Sequence, residues 1–569
     1  MVSLPDENKK SNKKFGIAAV AALVLAIVLA FTDVAGYARI AVTPITSEHC
    51  PILDIYRPKS FYEDNSTVVE ILTGEKFFKA ATERMSQAVQ VDTQIYDNPP
   101  TVEDDPEYWT KFIKFHEYLK TAFPAVHEHL EVVKINTYSL VYIWKGSNPD
   151  LKPLMLAAHQ DVVPVQEDTL KNWTYPPFSG HFDGEKVYGR GATDCKNVLV
   201  SIMESLELLV KSGFKPERGI IAAFGQDEEV SGLLGAHKIN EYLIERFGEK
   251  SIYAIIDEGT FVMRNPVTKN LIGLPATSEK GYIDMAVELT QRGGHSSMPP
   301  DHTAIGIISE LVAKIEAEPF EPLLTTANPS FEFLQCTAAH DHEGILPKFF
   351  RQSVLRAGYD KVANSIVVKA LSSNLVTRYL IRTSQAVDII KGGEKMNALP
   401  ENAKIMVNHR VAVETSLEDI QAKFVKRVSE VAKKHDIGLV AFGEQVLEPT
   451  LNGQFEVKIQ GRYTRTAPVT PTGDRLWQIL GGVTRHIIED FVFTDLDQPL
   501  VVSPSIMPAS TDTRHYWNLT DHIYRYSAMY VEDFKTLNIH SVDENVPMKS
   551  HVQLIAFFYE FIQSVSENK

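Results

Sequence analysis

LMLAAHQD, residues Leu154 to Asp161, is five apolar residues followed at once by an imidazole, an amide and a carboxylate. A short apolar run closed by polar residues reads as a strand buried on both faces, with His159 at its carboxyl end. The same grammar recurs twice downstream. GIIAAF, Gly219 to Phe224, runs into GQDEEVSG and places Glu228 and Glu229 just past a strand, while IYAII, Ile252 to Ile256, runs into Asp257. Between these runs the apolar period changes. Asn197 to Lys211 carries Val198, Ile202, Leu206 and Leu209 on one helical face and stops near Gly213, and Leu233 to Phe247 stops at Gly248. Strand and helix in alternation predict an α/β fold, a mainly parallel sheet with helices on both faces, whose working residues gather where strands end.

The texture changes near Lys280. Tyr282 to Glu288 alternates like a half-exposed strand, Thr303 to Glu316 has helical period, and Ile405 to Val413 is again strand-like. This predicts a smaller α+β domain over 280–445, inserted between a first catalytic part at 108–279 and a second at 446–569, with a helical but poorly determined middle at about 330–390. Residues 35–107, with scattered Pro, Asn and acidic residues, read as a stalk and lead-in.

Ahead of the stalk, Phe15 to Phe31 is an unbroken apolar run. At about 17 residues it nearly crosses a bilayer core. Lys9, Lys10, Lys13 and Lys14 precede it and Asp33 follows, so the positive-inside rule makes 1–14 a cytosolic tail, 15–34 a transmembrane signal anchor, and the rest a lumenal or extracellular body of type II topology. A cleaved signal peptide, with Gly36-Tyr37-Ala38 as the weak cut site, is the competing reading and gives a soluble form. Sequons at Asn65, Asn172 and Asn518 gain meaning on that side of a membrane. The three cysteines, Cys50, Cys195 and Cys336, allow at most one bridge. A net charge of -16 argues against a nucleic-acid surface, which needs clustered Lys and Arg.

His159, Asp194 in the Gly-rich loop GRGATDCKN, Glu228, Glu229 and Asp257 all fall on one edge of the predicted sheet. Singly they have ordinary readings: a helix cap for Asp194, a solvated turn for Asp227 to Glu229. Together they bring like charges to one place, and that calls for a cation.

Seven motifs carry a resemblance: AHQDVVPV, GRGATDCKN, DEEVSG, IIDEG, GGHSSMPP, STDTRHY and IHSVDENV. From about Tyr108 to the carboxyl end the chain resembles the zinc aminoacylase and carboxypeptidase family, above all its fungal vacuolar Gly-X carboxypeptidases and relatives that make and cleave N-acyl amino acids. The resemblance implies two Zn2+ per subunit, with Asp194 bridging, His159 and Asp257 completing one site, and Glu229 and His540 the other. Some relatives use Glu at the Asp257 position, and Glu258 is adjacent. It also implies that Asp161 orients the His159 ring, that Glu228 is the general base, that His295 stabilises an oxyanion, often from the partner subunit of a homodimer formed through the inserted lid, that Arg514 grips a substrate carboxylate, and that Asn397 makes a further oxyanion or carboxylate contact. Zinc suits His and carboxylate donors, and so do cobalt and manganese.

The resemblance therefore predicts a vacuolar, membrane-anchored di-zinc carboxypeptidase acting on short peptides. N-acyl amino acid hydrolysis or synthesis is the enzymatic alternative, and a membrane-tethered pseudoenzyme that only binds is the alternative of a different class.

Overall fold

The computed structural model describes residues 33–568. The expected cytosolic tail and nearly all of the expected membrane span lie outside the described residues. Among those described, no helix is long and apolar enough to cross a membrane.

The three apolar runs form strands Leu154–His159, Ile220–Gly225 and Ala254–Arg264, which lie side by side and parallel, with Ile523–Tyr530 as a fourth parallel neighbour. The sheet is more mixed than expected. Strands Glu131–Ile135 and Ser139–Trp144 extend one side antiparallel, and Ala276–Glu279 pairs antiparallel beyond Ile523–Tyr530. Alternation along each strand divides the core in two. Leu154, Leu156, Ile220, Ala222 and Ile256 face helices Lys196–Lys211 and Met548–Ser566, whereas Met155, Ala157, Ile221, Ala223 and Ile255 face helix Ala236–Phe247. Helices thus cover both faces, as a sheet buried on both sides requires.

A second sheet runs Ala386–Gly392, Asn402–Val411, Gly281–Thr290, Gln454–Ile459, Gly438–Ala441, Glu444–Leu447. One face is covered: Ile283, Met285, Val287 and Leu289 alternate into a core closed by helices Ala304–Ala317 and Leu417–Lys434. The boundary expected at 445/446 falls inside a strand of this sheet, which closes only at Ile459.

Two other expectations are corrected. Residues 35–107 are not a stalk: helices Ser66–Thr73 and Glu75–Gln90 bury Val68, Ile71, Ala81, Met85 and Ala88 in the main core. The buried Lys196 Nζ fastens the second of them, donating to the carbonyls of Ala88 at 3.1 Å and Val91 at 2.5 Å. The helices of 329–372 do not complete the second sheet. Phe331, Ala338, Val354, Leu355 and Val367 pack with Ile272 and Val501 of the main sheet, and a Cys50–Cys336 disulfide joins them to the N-terminal segment.

One detail of strand register sets the site. Along the parallel pair, Arg525 aligns with Asp257 but Tyr526 aligns with Thr260, so Glu258 and Gly259 bulge out of the ladder. A Cβ on Gly259 would lie 2.3 Å from the backbone carbon and oxygen of Arg525, which only glycine avoids. We expect Gly259→Ala to cost about 1–3 kcal/mol in chemical denaturation through overpacking of this joint. An unchanged denaturation midpoint would show that the bulge relaxes freely.

Candidate metal centre

His159, at its strand end, has a buried ring. Its Nδ1 donates to the backbone carbonyl of Asp161 at 2.9 Å, which leaves Nε2 facing Asp194 Oδ1 at 3.0 Å and Glu258 Oε1 at 3.3 Å. Asp194 turns its other oxygen to His540 Nε2 at 3.1 Å, and the same nitrogen lies 3.2 Å from Glu229 Oε2. Asp194 therefore stands between two imidazoles, each with a second carboxylate beside it. His540 is half exposed and held at φ 59° between Asn538 and Asp543, which also have positive φ, a costly backbone for non-glycine residues.

Sequence reading places Asp257 in this set. The carboxylate brought to His159 is instead that of Glu258. Asp257 is buried with Oδ1 accepting the Glu258 N–H, and its Oδ2 has no partner among the described residues. Asp161 serves two groups at once, and its carboxylate oxygen Oδ1 also lies 3.4 Å from His159 Nδ1. Its carbonyl fixes the His159 ring, while its carboxylate accepts the N–H groups of Glu228 at 3.1 Å and Glu229 at 3.0 Å and so pins the turn that carries both. Asp227 shapes the far side of that loop by accepting from the N–H groups of Leu234 and Gly235.

Glu544, in the motif that holds His540, was missed as a site residue. It accepts the N–H groups of Thr193 and Asp194 and the guanidinium of Arg190 at 2.6 Å, fixing the Asp194 loop from beneath. A buried acid four residues past a site histidine was the available signal. Cys195 is buried beside His159, whose N–H meets its sulfur at 3.1 Å.

Electrostatics show what the cluster lacks. Burial, reinforced by the neighbouring Asp194, pushes Glu229 up to about 7 and Glu258 up to about 8. Hydrogen bonds donated to Asp194 and Glu229 lift His540 to about 11. Burial disfavours the charged form of His159, yet Cys195, Glu258, Asp161 and Asp194 raise it well above the ordinary imidazole value. Carboxylates this close need positive charge beside them. Glu229 Oε1 is buried without a partner among the described residues. Five nitrogen and oxygen donor groups, crowded acids and an orphaned oxygen fit a pair of divalent cations, with His159, Asp194, Glu229, Glu258 and His540 able to hold them.

Next to the cluster, Glu228 is buried, and burial raises its carboxyl well above the usual range while Arg514 opposes the shift. Arg514 Nη2 lies 2.9 Å from Glu228 Oε1. Both border a cleft of about 480 Å³ between the two sheets, whose opposite wall carries Tyr282, Arg410, Arg462 and Tyr463. Arg462 spans the gap and donates to the Val230 carbonyl at 3.2 Å. His295 and Asn397 are not in this wall. Both are exposed on a small ribbon, where Gly294–His295 pairs with Ala398–Leu399 and His295 Nδ1 meets Ser297 Oγ at 2.7 Å. Of the sequons, Asn65 and Asn172 are exposed, whereas Asn518 is half-buried with its Oδ1 enclosed.

Comparison with known proteins agrees with this geometry. The model of peptidase family M20/M25/M40 matches residues 155–564. Carboxypeptidase S of Saccharomyces cerevisiae is 39% identical over 528 residues, covering 92% of this chain and 90% of that protein. The N-fatty-acyl-amino acid synthase/hydrolase of Mus musculus is 30% identical over 86% of this chain and 88% of its own. Among solved structures, human carnosine dipeptidase 1 shares the fold with a TM-score of 0.57 at 13% identity, over 90% of this chain and 100% of that one.

Adjacent acids at 257 and 258 allow a direct comparison. Glu258→Ala is expected to weaken metal retention by about tenfold or more, since even residues that only support ligands cost that much, while Asp257→Asn leaves metal content unchanged by elemental analysis. The reverse result would return Asp257 to the ligand set.

Proposed function

The chain belongs to peptidase family M20/M25/M40, and from that premise we propose that it is a two-zinc carboxypeptidase that releases the last residue of short peptides, with Gly before that residue preferred. One observation carries the reading: Glu228 lies between the His159, Asp194, Glu229, Glu258 and His540 cluster and the guanidinium of Arg514. A metal pair held by those five residues supplies the positive charge that polarises an amide carbonyl and acidifies a water. The chain's own groups do the rest. Arg514, a planar fork of donors, takes the terminal carboxylate of the substrate. Because Arg514 and Glu228 are hydrogen-bonded, a residue gripped there has its amide beside the base. Glu228 then accepts the proton of the attacking water and returns it to the departing amine, a role that burial of its carboxyl favours. The His159 ring stays fixed through the Asp161 carbonyl, and the Asp161 carboxylate keeps Glu228 and Glu229 in register.

Peptides are preferred over fatty-acyl amino acids because the cleft offers arginines and tyrosines, with little apolar wall beyond Leu233 and Met507. A long acyl chain needs more apolar surface than that. His295 and Asn397 are retained as substrate contacts in a homodimer formed through the second body, on the strength of the motif alone. We also propose a vacuolar, lumen-facing location with the 15–34 segment as anchor. The Cys50–Cys336 bridge supports a lumenal side, since disulfides persist in oxidising compartments, and so do the exposed sequons at Asn65 and Asn172.

Glu228→Gln is expected to lower turnover about a thousandfold while both metals stay bound, read by steady-state kinetics with elemental analysis of the same sample. Full activity would remove Glu228 from the mechanism. A blocked Gly-Leu dipeptide should be turned over faster than a long-chain acyl-Phe, and Arg514→Met should erase the advantage of a free over an amidated carboxyl end. Faster turnover of the acyl-Phe would transfer the chain to the N-acyl amino acid reading.

A further inference from the structure

The residues that follow the apolar run of the sequence form no loose tether. Val34–Ala41 is a helix seated on helices Lys348–Arg356 and Lys361–Ser372. Gly36 lies so close to Val362 that a Cβ there would come within 2.4 Å of it, and Ile40 is fully buried. Arg39 Nε reaches Asp360 at 2.9 Å, and the same carboxylate oxygen takes Arg356 at 3.0 Å. Gln352 Nε2 donates to the carbonyls of Ala41 at 2.9 Å and Thr43 at 2.8 Å, and beyond Thr43 the Cys50–Cys336 bridge closes the attachment. Every one of these contacts ties the segment to the helical part of the main body.

The outward side of this joint is apolar. Val34 is 56% exposed, Tyr37 48%, Val42 80%, Ile345 47% and Phe349 36%, with the Tyr37 and Phe349 rings stacked at 6.0 Å across the two elements. Lys348 stands exposed beside them. Phe31, the last residue of the apolar run, precedes Val34 by three positions. Three residues reach at most about 11 Å even fully extended. The polar band on each side of a bilayer core is about 5–7 Å deep. A segment that leaves the bilayer after Phe31 therefore delivers Val34 and Tyr37 to the headgroup layer or its edge.

We propose that the face formed by Val34, Tyr37, Val42, Ile345 and Phe349 rests on the lipid surface, so that the helices of 329–372 are a platform holding the catalytic body in one orientation on the membrane. The partner is the bilayer itself. Aromatic and aliphatic side chains with a flanking Lys are the composition that interfacial contact favours. This rests on the anchored reading given above, and the test separates the two.

The full chain, with a nitroxide label on Tyr37→Cys, Phe349→Cys or the control Met298→Cys, is reconstituted in vesicles of phosphatidylcholine and phosphatidylserine. Native Cys195 is buried and Cys50 is bridged, so the introduced thiol takes the label. Met298 is 81% exposed on the second body. Retained peptidase activity confirms folding of each variant, and two labelled positions on separate elements guard against one failing. The ratio of oxygen to nickel-chelate accessibility is expected to be severalfold higher at positions 37 and 349 than at 298. Vesicle-bound protein with equal ratios at all three positions would overturn the platform and leave the anchor standing. A chain that does not float with the vesicles would overturn the anchor, and the platform with it.

Discussion

The carboxylates of Asp194, Glu229 and Glu258, gathered around the imidazoles of His159 and His540, are the constraint from which the rest of the molecule follows. Like charges at such separations repel strongly once buried, and the chain pays for holding them with fixed backbone. His159 and Glu258 come from adjacent parallel strands, Glu229 from the turn after a third, Asp194 from a loop entering a helix, and His540 from a loop with three left-handed residues. No two of these elements could position the set alone. The cost is offset only by positive charge in the middle, from protons in one state or from divalent cations in another, and the donor chemistry suits the second.

Beneath this layer sits another that supports the cluster and, apart from Asp161 at the His159 ring, acts through the backbone of its loops. Asp161, Asp227 and Glu544 each spend a buried carboxylate on backbone N–H groups of the loops that carry Glu228, Glu229 and Asp194. Hydrogen bonds donated to ionised acceptors are about twice as strong as neutral ones. They convert loops, ordinarily the soft part of a fold, into rigid mounts. Asp512 differs: both of its buried carboxylate oxygens lack a hydrogen-bond partner among the described residues. Buried between the glycines at 225 and 232, where a Cβ would collide with its oxygens, it packs under the turn and explains why both positions carry no side chain.

The second sheet closes the cleft. It supplies Tyr282 and Arg410 to the far wall, and Arg462, just beyond its last strand, touches the main body at Val230, the residue after Glu228 and Glu229. The spacing between the two walls is thus set at the turn that holds the base. By contrast the 329–372 helices, contiguous in sequence with that second sheet, pack with Ile272, Val501 and the N-terminal segment. Apolar pairing and a disulfide decide their allegiance, and chain order does not.

Those same particulars mark how far the sequence could be read. The strands leading to His159, Asp227 to Glu229 and Asp257 were legible because a short apolar run followed by charge has few structural meanings, although the third runs on through Asp257 to Arg264, and the alternation of the Tyr282 strand revealed the second body. His540 was not legible from periodicity, since its loop has none, and came only through resemblance. The choice between Asp257 and Glu258 was out of the sequence's reach for a definite reason: neighbouring acids differ only in which way the backbone turns them, and a two-residue bulge against Arg525 is a tertiary fact. Residues 66–90 went unread because Val68, Ile71, Ala81, Met85 and Ala88 keep helical spacing but are diluted by charge, so their buried stripe is narrow. A narrow stripe suffices when it lies against an existing core. What resists single-sequence reading, then, is not the chemistry of this chain but the pairing of distant surfaces, and the pairing is what turns five scattered ligand-type side chains into one centre.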